Sequence, residues 1–159
     1  IGDWSSDVCS PISGLDLAFK VDALGMLFIT LSAILWLFTT LYAIGYLEGA
    51  PHRSRFFGFF SLCVTATMGI AMAANLFTFF VFYELLTLST FPLVVHRGTD
   101  KAMRGGTVYL AYTLIGGTVL LTGIVWLYHM LGHTEFAHAG VAATLGPEYS
   151  GQLRIVFLL

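Results

Sequence analysis

The residue that suggests chemistry in this sequence is a lone acid. From Phe56 to His96 run 41 consecutive residues that carry a single charge, Glu84. An acidic side chain at the centre of a membrane-crossing helix costs about 2.5–3.5 kcal/mol on insertion scales, which the surrounding Phe77, Phe80, Phe82, Leu85, Leu86 and Leu88 can offset. Insertion alone does not explain why the acid is there. Intramembrane carboxylates face protein or water, and they commonly mark an ion or proton pathway. Apolar surroundings hold a carboxyl proton while a nearby cation releases it, so a glutamate set between the two can pass protons on. On a helix Thr87 lies about 60° from Glu84 and can hydrogen-bond it. Pro92 has no N–H to give the carbonyl of Leu88, which would kink the helix and leave an acceptor for water or a side chain. The competing reading is structural: a protonated Glu84 hydrogen-bonded to a neighbouring helix only to lock packing.

Other reactive groups offer less. Of the five histidines, His96 closes one apolar run on one side of the membrane and His129 nears the end of another on the far side, so they cannot share a haem or metal. His133 and His138 share a loop with no cysteine, a weak metal signal. Two cysteines, Cys9 and Cys63, are too few for a disulfide scaffold, and Cys63 reads as a packed thiol. There is no glycine-rich phosphate loop and no nucleophile arrangement. No cofactor or metal is expected, and no redox centre of the chain's own. The formal charge of -2 leaves no basic surface for nucleic acid.

The elements that must position Glu84 follow from composition. With 57% apolar, 15% aromatic and only 10% charged residues, the chain is too apolar for a water-soluble globule. A bilayer core of about 30 Å takes about 20 helical residues. The 25 uncharged residues between Asp22 and Glu48 make one span, 23–47. The 41-residue run would be about 62 Å long as one helix, so it divides at Ala73-Ala74-Asn75 into 55–73 and 76–96. A fourth span is expected at 106–131 and the start of a fifth at 154–159. The fold class is therefore all-α, a multi-pass integral membrane protein. A β-barrel would show strands of alternating polarity, which are absent from the sequence.

Loop charge predicts orientation. The connections after the first and third spans hold Arg53, Arg55, Arg97, Lys101 and Arg104, against Lys20 and Arg154 on the opposite side, which makes the former cytoplasmic. Ser61, Thr65, Gly69 and Ala73 recur at steps of four, and Thr113 and Gly117 repeat the theme, as small residues that let helices approach closely. Residues 1–11 are expected to be a non-native leader: Asp3 to Ser10, DWSSDVCS, resembles the translation of a sequencing-library adapter. The apolar run at Ile155–Leu159 reads as cut short, so the chain is expected to be a fragment.

The string from Asn75 to Val95, NLFTFFVFYELLTLSTFPLVV, together with YAIGYLEG at 42–49, resembles the antiporter-like proton-conducting subunit family. Its members are the large membrane subunits of NADH:quinone oxidoreductase (complex I) and of multisubunit Mrp-type cation/proton antiporters. The resemblance covers nearly everything after residue 14. Phe82-Tyr83-Glu84-Leu85, followed by a Ser/Thr-rich, proline-containing helix end and His96-Arg97-Gly98-Thr99, is most similar to the D-type branch of the Mrp proteins. Complex I subunits more often have Trp where this chain has Tyr83. The resemblance implies a bundle of about fourteen helices built from inverted repeats with broken helices. The four spans would be the family's third to sixth helices, with Glu84 as its key glutamate. A partner lysine is implied on the next helix, beyond Leu159, so this stretch alone should not translocate protons. It further implies a prokaryotic plasma-membrane protein, surrounded by lipid and by other membrane subunits, that moves protons and, in an Mrp assembly, would exchange them for Na+. The readings that follow are an Mrp protein of the D type, a proton-pumping subunit of complex I or of a related hydrogenase, and a non-conducting scaffold subunit.

Overall fold

The computed structural model describes residues 17–49, 51–132, 136 and 150–158. Residues 1–11, expected as a leader and including Cys9, lie outside the described residues, as do His133 and His138. Five helices follow one another: α1 Ala23–Tyr46, α2 Arg53–Ala71, α3 Leu76–Val94, α4 Asp100–Leu131 and α5 Ser150–Leu158. The first four are long and apolar enough to cross a membrane. No strand forms among the described residues.

Capping side chains set where three helices begin. Asp22 Oδ1 accepts from the Gly25 N–H at 2.6 Å, Asn75 Oδ1 from the Thr78 N–H at 2.7 Å, and Thr99 Oγ1 from the Ala102 N–H at 3.2 Å. Each satisfies a backbone donor that the first helical turn leaves unpaired. The Thr99 cap explains why α4 starts at Asp100 rather than at the expected 106: apolarity marks where charge stops, whereas a cap marks where the helix starts. At α4's other end Gly132 takes the left-handed φ of 73° that closes a helix. The same distinction moves other boundaries. The polar Arg53-Ser54 and Ser150-Gly151-Gln152 are already helical, ahead of the expected 55 and 154. Helix α3 ends at Val94 rather than 96, where the Gly98 N–H donates to the Val95 carbonyl at 2.9 Å and turns the chain toward α4.

The division of the long run falls at residues 72–75, as expected, and it is built with help from an extended segment before α1. The Lys20 N–H donates to the Met72 carbonyl at 2.8 Å, and the Ala74 N–H donates to the Ala18 carbonyl at 2.9 Å. The Ala18 N–H in turn donates to Thr78 Oγ1 at 3.0 Å, on a threonine that is fully buried. These bonds draw Met72 to Ala74 out of helical geometry, which is why α2 stops at Ala71 rather than 73. The Phe136 N–H, donating to the Ala74 carbonyl at 3.0 Å, brings the chain after α4 to the same end of the bundle.

Helix α3 lies between α2 and α4, α1 packs on α2, and α5 touches α4. Of the 24 residues of α1 only Gly25 and Ala43 are buried. Its exposed Leu24, Phe28, Phe38 and Leu41 form an apolar surface suited to lipid or to neighbouring helices and unsuited to water.

Candidate functional site

Glu84 sits one residue from the middle of α3, whose central residue is Leu85. Residues two apart on a helix point about 200° apart, so Phe82 and Glu84 face opposite neighbours. The Phe82 ring lies against Gly69 of α2 and is backed edge-on by Phe19, ring centroids 5.5 Å apart. The half-buried Glu84 carboxyl lies against Gly117 of α4, where a Cβ would collide with it. Among the described residues Glu84 Oε1 is buried and accepts no hydrogen bond. Leaving a buried acceptor unsatisfied costs about 1–3 kcal/mol, so this atom is an exception that calls for a reason.

The expected hydrogen bond from Thr87 to Glu84 is not formed. Thr87 is buried, and its hydroxyl donates to the Tyr83 carbonyl at 3.0 Å, the usual way a mid-helix threonine satisfies itself. Pro92 lies inside α3, which continues past it to Val94. Toward that end of α3 the polar groups continue. Thr90 Oγ1 donates to the Thr87 carbonyl at 2.8 Å and also pairs with the Tyr109 hydroxyl of α4 at 2.8 Å. Either hydroxyl of the Thr90–Tyr109 pair can supply the proton of their bond. Ser89, almost fully buried, donates to the Leu85 carbonyl at 2.6 Å.

Helices α3 and α4 pair antiparallel, Val95 against Gly106, Thr90 against Tyr109, Glu84 against Gly117. Sequence reading found Glu84 and Gly117 separately but did not join them, and it missed Thr90 and Tyr109. A hairpin folded about Asp100 places both pairs opposite each other, and that was the available signal. The small-residue row on α2 divides. Gly69 is buried against Phe82 and Ala73 is bridged to Phe19, whereas Ser61 and Thr65 are exposed, Thr65 donating to the Ser61 carbonyl at 3.0 Å. Steps of four turn about 400°, so each advances about 40° around the helix and the row winds off the contact face. The buried face of α2 is instead Cys63, Ala66 and Gly69, at steps of three. On α4, Thr113 donates to the Tyr109 and Leu110 carbonyls, both at 3.0 Å. His96 follows α3 and His129 lies in the last turn of α4, at opposite ends of the antiparallel pair.

Comparison with known proteins gives this arrangement its context. The family profile described as the transmembrane region of NADH:quinone oxidoreductase and Mrp antiporters matches residues 73–159, which include α3 and α4 whole. A second, described as the N-terminus of chain 5 of NADH-ubiquinone oxidoreductase (complex I), matches residues 11–57. A protein of Staphylococcus haemolyticus (strain JCSC1435) named as antiporter subunit mnhA2 is 30% identical over 124 residues, 77% of this chain and 16% of its own length. The Na(+)/H(+) antiporter subunit A1 of Staphylococcus aureus (strain JH9) is 30% identical over 118 residues, 74% of this chain and 15% of its own. This chain thus spans about a sixth of the curated relatives it matches. With four membrane-length helices and a profile covering the pair that carries Glu84, the chain belongs to the family of membrane subunits shared by NADH:quinone oxidoreductase and Mrp antiporters.

Proposed function

We propose that this chain is part of the proton-conducting subunit of a multisubunit cation/proton antiporter, of the Mrp D type, in which Glu84 is a station on the proton path and Thr87 its polar neighbour. The observation that carries the reading is a carboxyl group at midspan whose Oε1 is buried against α4 and accepts no hydrogen bond among the described residues. A glutamate serving only to clamp helices would meet donors on the neighbouring helix. Here α4 presents a glycine, whose mid-helix N–H belongs to its own helical ladder. A relay, by contrast, needs an acceptor able to take a proton. The relatives' names support protons and Na+ as the coupled ions and other membrane subunits as partners. Those relatives are named as A-type subunits, whereas Phe82-Tyr83-Glu84-Leu85 carries the D-type reading. The role of Glu84 does not depend on the branch.

The second reading is a proton-pumping subunit of complex I or a related hydrogenase, coupled to redox chemistry in other subunits; the profile over residues 11–57 favours it. Neighbouring genes for small antiporter subunits would support the first reading, and dehydrogenase or hydrogenase genes the second. For either, Glu84→Gln in a full-length subunit carrying this segment is expected to abolish proton movement in inverted membrane vesicles while the complex still assembles on native gels. Transport that survives the substitution sinks the proposal. Loss of assembly would instead favour the scaffold reading.

A further inference from the structure

Three glycines lie along the two faces by which α3 meets its neighbours, and they are filled in two different ways. Gly69 meets the Phe82 ring, and Gly106 meets Val95 and Phe91. At both, the absent side chain brings apolar surfaces together, the ordinary use of small residues between membrane helices. At Gly117 the space is taken by the Glu84 carboxyl. Two further observations mark this contact as different. The buried Oε1 accepts no hydrogen bond there, and two turns away along α4 the Tyr109–Thr90 bond at 2.8 Å ties α4 to α3. We infer that Gly117 is a positioning residue for Glu84: its missing side chain is the seat that holds the carboxyl between α3 and α4, in a register kept by Tyr109 and Thr90. The inference rests on the relay role proposed for Glu84.

The seat makes a prediction that simple packing does not. A methyl group at 117 would meet the far end of a flexible side chain rather than a backbone or a ring, so Gly117→Ala folds and the carboxyl swings to another rotamer. The helix pair survives and the acid is misplaced. Aspartate is one methylene shorter than glutamate, so Glu84→Asp withdraws the carboxyl from the space that the new methyl fills.

The test is a size-complementation series in a full-length subunit, with transport measured per assembled complex. Because misplacing a reacting group by about 1 Å can cost about 100-fold, Gly117→Ala and Glu84→Asp are each expected to slow transport by about tenfold or more. The double substitution is expected to run several-fold faster than either single one. Gly106→Ala, which meets Val95, serves as the packing control: it lowers the amount assembled, and Glu84→Asp does not rescue it. The inference is overturned if Gly117→Ala transports at the unsubstituted rate, if the double is no faster than the faster single, or if Gly117→Ala loses assembly that Glu84→Asp does not restore. Glu84→Gln separates the two levels. Inactive Glu84→Gln with no rescue in the double overturns the seat alone, while active Glu84→Gln overturns the relay and the seat together.

Discussion

A threonine inside a membrane helix has one proton to give, and Thr87 gives it to the carbonyl of Tyr83. That carbonyl also accepts the helical N–H of residue 87, so removing the hydroxyl orphans nothing. Thr87→Val is therefore expected to change stability by no more than about 1 kcal/mol. If Thr87 serves beside Glu84 through its oxygen lone pairs, Thr87→Val slows transport several-fold and Thr87→Ser does not; equal rates in vesicles would remove Thr87 from the path. At this scale the sequence was uneven. The isolation of Glu84 needed only counting, because charge in a long apolar run is conspicuous whatever the fold. The 60° between Glu84 and Thr87 was readable too, but angular closeness does not choose an acceptor. The carbonyl one turn back is always within reach of a threonine hydroxyl, and it won over the carboxyl.

At the scale of elements, the α3–α4 pair is held by one hydroxyl bond and a run of close contacts. Hydrogen bonds between membrane helices contribute about 0.6 kcal/mol on average and about 1.7 kcal/mol at most in double-mutant cycles. Tyr109→Phe combined with Thr90→Val should give a coupling energy in that range when unfolding is followed in detergent. A coupling of zero would mean that the Tyr109–Thr90 bond does not set the register. The helices themselves were legible: four spans and the break near Asn75 follow from bilayer thickness and helical rise. Their ends were less so. Thr99 caps α4 well outside the apolar stretch, and the backbone of residues 18–20 stops α2, a partner some fifty residues away that no local pattern announces. The row Ser61-Thr65-Gly69-Ala73 was visible as small residues, yet its winding around α2 left Ser61 and Thr65 off the contact face, and Ala73 lies past the helix end.

For the molecule as a whole, charge is gathered at one end. The Phe56 and His96 rings meet at 5.5 Å, bringing the start of α2, with Arg53 and Arg55, beside Arg97 of the α3–α4 connection and Lys101 and Arg104 at the start of α4. Lys20 pairs with Met72 at the opposite end. If the positive-inside rule orients this bundle, a cysteine replacing Lys101 in a background without Cys9 and Cys63 reacts with an impermeant thiol reagent only from the cytoplasmic face, and one replacing Lys20 only from outside. The reverse pattern would invert the proposed topology. Composition by itself determined that this chain is helical and belongs in a bilayer, because hydrocarbon tolerates few structures and few charges, and a linear count detects both. Which groups meet inside was decided by the tertiary structure. Glu84 and Gly117 stand 33 residues apart in sequence; a hairpin about Asp100 brings the two positions opposite each other, and only the packed pair decides that the carboxyl fills the space the glycine leaves.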